Sequence, residues 1–406
     1  MEVQEYLETK KVIEKTFIDF IDEGSHASFQ KILKLLTNLK FEENPRETKA
    51  MLQILNSIAD NHHRNPEFFN RIEKILLRNY RNIKRTFSNK NEFDISTLNK
   101  RIVFFLIEEG YMTINDCIDR SPSFASFFYP EIGSTLSNNL RANLKEKFPE
   151  LREKKIDIKK FNEYRKIGEN NSPICTLIRK DSLDEFIEYI QKEKISPSSS
   201  IKPSVFETNP LLFDKELSLI EYAAFFGSIQ IFQYLLKNNV KLTKSIWPFA
   251  IHSNNIEIIQ VLIDMKIGVV KNPTKYQNPK LKQTKLPHMV TQYYMADKAI
   301  KKLLIESIKC HHYNVFNFLK EKLVNMEKDN ELNDDYQFKE FVVENDKALL
   351  PFIFKYFNYN SFPTEIEDQT LFYYLCTYDY ASFVDLFLKK KEVDINAILV
   401  SKYFFQ

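Results

Sequence analysis

Between Ser218 and Ile263 the chain spells one short pattern twice, 27 residues apart. Leu219-Ile220, Ala223-Ala224, Gly227 and Leu235-Leu236 recur as Ile246-Trp247, Ala250-Ile251, Asn254 and Leu262-Ile263. Small residues at the alanine pair let a second helix approach the first closely, and Gly227 supplies the left-handed conformation that a tight helix-to-helix turn needs. Ile229, Phe232 and Leu236, with Leu235 beside them, fall on one helical stripe. One such unit cannot bury its own apolar face, so several must stack. The pattern predicts an all-α fold, an α-solenoid of helix pairs.

Further copies align on the turn position. Ile178, Asp181, Leu183, Phe186, Tyr189 and Ile190 repeat the spacing upstream. Downstream, Ser307-Ile308 stand at the alanine pair, His311 at the glycine, and Phe316 and Leu319 on the stripe. A last copy sets Leu375-Cys376 at the pair, Asp379 at the turn, and Val384, Phe387 and Leu388 on the stripe. A weaker copy in FVVENDKALLPFIFKYF requires its second helix to begin at Pro351.

Residues 1–167 predict a helical domain without a short repeat, and a composition shift near Gly168 places the boundary to the repeat region, 168–406. Helices are expected over Val3 to Ile21, Phe29 to Leu39, Glu47 to Ala59, Pro66 to Phe87 (capped by Asn65) and Leu98 to Glu109. Only six glycines in 406 residues disfavour sheet-rich and glycine-loop architectures, and the 35 Phe and 20 Tyr serve as helical core filling.

A net charge of +3 sets up no global field for nucleic acid or acidic lipid. Two local basic features stand out: the face Arg71, Lys74, Arg78, Arg81, Lys84 and Arg85 in 71–85, and the loop 266–285, with six lysines and no acid. They define an alternative function, a nucleic-acid or anionic-surface binder. The acidic start MEVQEYLETKK is unlike a signal peptide, no apolar run approaches about 20 residues, and Cys117, Cys175, Cys310 and Cys376 have no paired spacing. A reduced, cytoplasmic setting is expected.

No phosphate-cradling loop, zinc-protease motif or nucleophile elbow is present, so neither catalytic residues nor a cofactor is expected. Histidines cluster at His62-His63 and at Cys310-His311-His312. Helical neighbours point about 100° apart, so neither cluster chelates a metal by itself. No metal is expected, and His311 and His312 are expected to bond the turn and cap the next helix.

LIEYAAFFGSIQIFQYLL resembles the ankyrin pattern, with Ser218 at its threonine and Glu221 at its histidine, and Val393-Asp394-Ile395-Asn396 resembles the turn after an ankyrin helix pair. With NHHRNPEFFNRIEKIL, NKRIVFFLIEEG, YRKIGENNSPICTLIRKDSLDEFIEYI and WPFAIHSNNIEIIQVL, nearly the whole chain is similar to ankyrin-repeat proteins of trichomonad protists, whose central segment is the domain of unknown function DUF3447. The resemblance implies a degenerate ankyrin-like solenoid and no assigned activity. Those proteins run on into further repeats, so with an end at Gln406 the last unit is expected to lack a regular cap. It also implies binding through the two residues before each turn: Arg179, Lys180, Phe225, Phe226, His252, Ser253, Lys309, Cys310, Thr377 and Tyr378. The leading expectation is a non-enzymatic scaffold that binds protein partners there.

Overall fold

The computed structural model of the chain describes residues 3–38, 45–79, 83, 98–114, 122–153, 156–213, 215–267, 302–304 and 306–324. They are mostly helical. The chain divides into two compact units, residues 1–18 with 328–406, and Asp19–Glu327. The expected copies at Leu375-Cys376 and at Pro351 lie outside the described residues, as do Thr377 and Tyr378. The boundary expected near residue 168 is not a boundary between units, because it falls inside Asp19–Glu327.

The first part of this larger unit holds the end of α1 (Val3–Glu23), then α2 (His26–Asn38), α3 (Pro45–Asn61), α4 (Phe68–Arg78) and α5 (Lys100–Glu108). Gly24, at φ +65°, closes α1 where the sequence places the stop. The helix expected from Pro66 starts instead at Phe68, with Glu67 at its N-cap and no side-chain cap; Asn65 accepts from the Glu67 N–H at 3.0 Å in the turn before it. Ile102 to Leu106 of α5 are all buried. Around them pack α4 and α9 (Ile158–Ile167), which follows α6 (Pro122–Phe127), α7 (Tyr129–Ile132) and α8 (Asn138–Lys147).

Three helix pairs come next: α10 (Pro173–Arg179) with α11 (Leu183–Lys192), α12 (Leu219–Phe226) with α13 (Ile229–Lys237), and α14 (Ile246–His252) with α15 (Ile256–Asp264). First helices pack on first helices and second on second: α12 touches α10 and α14, and α13 touches α11 and α15. Ala223, Ala224 and Ala250 are fully buried at these contacts, as small residues at a close helix approach must be. Residues 306–309 are helical and lead through His311 into α16 (Tyr313–Leu319).

The turns repeat in conformation as well as in sequence. Asp181, Gly227, Asn254 and His311 are all left-handed, with φ of +50°, +69°, +57° and +61°. The residue after each later turn reaches back to the preceding pair. Ser228 Oγ donates to the Ile178 carbonyl at 2.5 Å, Asn255 Nδ2 to the Gly227 carbonyl at 3.0 Å, and His312 Nδ1 to the Ile251 carbonyl at 2.8 Å. Asp181 accepts from the Gln230 and Ile231 N–H groups, capping the start of α13 in the next pair.

Between α11 and α12 the chain makes a two-residue antiparallel ribbon, β1 (Ser200–Ile201) with β2 (Leu217–Ser218), and a loop that folds back on the first part of the unit. There Asn209 Nδ2 donates to the Asp60 carbonyl, Asn99 Nδ2 to the Thr208 carbonyl and Lys100 Nζ to the Glu207 carbonyl. Buried Arg64 donates to the Gly168 carbonyl and to Thr208 Oγ1, and its Nη1 lies 3.5 Å from buried Glu207 Oε1. These bonds cross residue 168, which is why no compact unit ends there.

Candidate functional site

The connection from α3 to α4 lays His62 and His63 against the turn at 310–312. His62 Nδ1 faces the Cys310 carbonyl oxygen at 3.1 Å, and its Nε2 faces Asp22 Oδ1 at 3.0 Å. His63 Nδ1 lies 3.1 Å from His312 Nε2, and His63 Nε2 lies 3.5 Å from the same Asp22 oxygen. His311 Nε2 is 3.5 Å from Ser57 Oγ. His62 and His312 are each only 1% exposed, while the His63 side chain is 27% exposed.

Electrostatics follow from this packing. Burial, then the charge of His62, holds His63 down at about 4, with Asp22 pulling weakly the other way. Burial, then His62 and His63, puts His312 well below the ordinary histidine value. Burial alone would raise Asp22, yet the hydrogen bond and charge of His62, with His63 and Arg71, hold it below the usual carboxylate range.

A second cluster lies on the same edge. His252 Nε2 is 3.0 Å from Glu306 Oε1, and the Cys310 thiol is 4.0 Å from that oxygen. Burial lowers His252 despite Glu306, and it pushes the Cys310 thiol well up. A thiol held protonated is a poor nucleophile at neutral pH.

Binding through the two residues before each turn requires them to be exposed, and Lys180 is exposed while Phe226, Ser253 and Lys309 are half-buried. The expectation is corrected at Phe225, His252 and Cys310, all of them buried. Phe225 stacks on His252 with ring centroids 5.3 Å apart, His252 is closed off by Glu306, and Cys310 lies behind His62. Arg179 is occupied too, paired with Glu169 at 2.8 Å and donating to the Asn170 carbonyl and the Tyr222 hydroxyl. What stays open is a groove of about 470 Å³ lined by His63, Phe226, Gly227 and the run from Ser253 to Glu257.

The basic face of α4 is partly turned inward. Arg71 donates to the Ile21 and Asp22 carbonyls, whereas Lys74, though 4.4 Å from the Phe29 ring centroid, is exposed. Arg78 is exposed, whereas Arg81, Lys84, Arg85 and the lysine loop beyond Ile267 lie outside the described residues. No helix among the described residues is long and apolar enough to cross a membrane.

Sequence reasoning missed the meeting of the two histidine doublets and the parts of Asp22 and Glu306. A signal was present, since four of the seven histidines stand in two doublets. The expected turn role of His312 is half met: its ring bonds the preceding pair, but its side chain does not cap α16. Comparison with protein-family models found no match, and no curated protein or solved structure matched the chain.

Proposed function

We propose that the chain is a non-enzymatic, cytoplasmic protein-interaction scaffold whose helix pairs stack as a degenerate ankyrin-like solenoid. The observation that carries this reading is the recurrent turn: four left-handed residues in register, three of them followed by a side chain bonded to the preceding pair. A unit that docks on its neighbour in the same way each time builds a continuous edge, and the turn side of that edge is not needed for stacking.

The groove at this edge is where we place the partner, a protein segment with an apolar side chain and free N–H donors. Half-buried Phe226 offers the anchor, Asn254 Oδ1 is a buried acceptor with no partner, and Glu257 adds an exposed charge. The test is site-specific photo-crosslinking in lysate of the source cell, with a benzoylphenylalanine at Phe226 and a control at exposed Gln230. A discrete protein adduct from position 226, retained at high salt and absent from the control, is expected. Equal adducts from both positions, or none, sink the assignment.

A further inference from the structure

The histidine cluster holds more acceptors than protons. The Ile251 carbonyl accepts from His312 Nδ1, so His312 Nε2 carries a lone pair, and that lone pair faces His63 Nδ1. A neutral imidazole owns a single N–H. Neutral His62 therefore satisfies either Asp22 or the Cys310 carbonyl and turns a lone pair on the other. Neutral His63 places its proton either on Nδ1, toward His312, or on Nε2, 3.5 Å from Asp22, and its ring is partly exposed.

The rings thus turn more lone pairs toward their neighbours than they have protons to place between them, and the His62 and His63 centroids lie 4.2 Å apart beside a single carboxylate. One divalent cation can accept such lone pairs.

We propose that His62, His63 and His312 bind one divalent transition-metal ion of the zinc class, with Asp22 as the carboxylate that orients the rings. Zn–N bonds of about 2.0–2.1 Å in a tetrahedron set neighbouring ligand atoms about 3.3 Å apart. His63 Nδ1 and His312 Nε2 are 3.1 Å apart, and one nitrogen of each of the three rings lies within 4.8 Å of the others. Imidazole donors select zinc, cobalt, nickel or copper over magnesium and calcium, which take oxygen. Asp22 on His62 and the Ile251 carbonyl on His312 are the outer partners that fix ring orientation around a bound metal. His63 borders the groove, which gives the ion a way in. The ion joins segments 249 residues apart in sequence, so it acts as a clasp between the α3–α4 connection and the turn before α16.

The experiment uses the tag-free full chain, stripped with a chelator and titrated with Co²⁺ and then Zn²⁺. One equivalent of Co²⁺ should bind with the visible absorption of nitrogen-ligated cobalt, be displaced by Zn²⁺, and raise the melting temperature. His63→Gln, at the least buried ring, should weaken zinc binding at least ~100-fold while leaving the circular dichroism and melting of the metal-free chain unchanged. His312→Gln keeps an amide donor for the Ile251 carbonyl and should lose binding as well. X-ray absorption of the zinc-loaded chain should report three imidazoles. Stripped wild-type chain binding zinc no more tightly than either variant, or a spectrum with a single imidazole, overturns the proposal.

Discussion

The helix pairs between Pro173 and Asp264 meet mainly through uncharged side chains, with Arg179 reaching the Tyr222 hydroxyl, whereas the helices before residue 168 bury whole guanidinium groups. In the pairs, most contact positions are alanines and aliphatic or aromatic side chains, and the backbone carbonyls reached from one pair to the next lie at or near the turns. Before them, Arg101 pairs with Glu73 and donates to the Lys166 carbonyl. Arg165, fully buried, is held by both Glu131 oxygens and lies 4.2 Å from the Phe104 ring centroid. A face that must fit its neighbour in every layer leaves little room for a charge needing one particular partner, and Arg179 meets its own, Glu169, outside the pairs. A region that occurs once can hold such pairs, and each then specifies one arrangement.

This contrast predicts different responses to substitution. Ala223→Asp places an unpaired charge in a fully buried helix contact and should cost about 4 kcal/mol or more, read by urea or thermal unfolding. An unchanged melting curve in a soluble variant sinks the stacking. Arg165→Ala should cost less, about 3 kcal/mol, because Glu131 is partly exposed and can rehydrate once its partner is gone. Arg165→Met, filling the volume among Phe104, Phe127 and Phe161, should recover part of that loss. If Arg165→Ala proves the more damaging of the two positions, the aromatic-guanidinium region and not the pairs holds the unit together.

The same contrast decided what could be read from the residues. Turn positions Asp181, Gly227, Asn254 and His311 were legible because a period repeats its information, so an aspartate or histidine inherits the role of a glycine from its register. The buried places of Arg64, Arg101 and Arg165 had no local signal, since nothing local says that a glutamate distant in sequence will meet each one. Exposure before each turn was inferred from an open edge, and at Phe225, His252 and Cys310 other parts of the chain cover that edge. Each histidine doublet was visible, but their meeting across 249 residues is tertiary and has no local trace.

Turn bonds are the smaller energetic test. Ser228→Ala removes the bond to the Ile178 carbonyl, which still accepts from the Asp181 N–H, so the loss should be about 1 kcal/mol. A loss near 3 kcal/mol would make the turns, and not the alanine contacts, the main tie between pairs.

Thiol reactivity compares the first helix pair with the turn before α16 without changing stability. Burial pushes Cys175 in α10 up to about 11, and pushes Cys310 well above the usual thiol value. At pH 8 a thiol with that raised Cys175 value is roughly one part in a thousand thiolate, against about a quarter for an ordinary cysteine near 8.5. Iodoacetamide should therefore label both residues at least ~100-fold more slowly in the native chain than in urea, followed by mass spectrometry of the peptides. Fast labelling of Cys310 alone would mean that the turn carrying His311 and His312 opens independently of the helix pairs. Zinc should then slow Cys310 and leave Cys175 unchanged, because only the first lies beside the clasp.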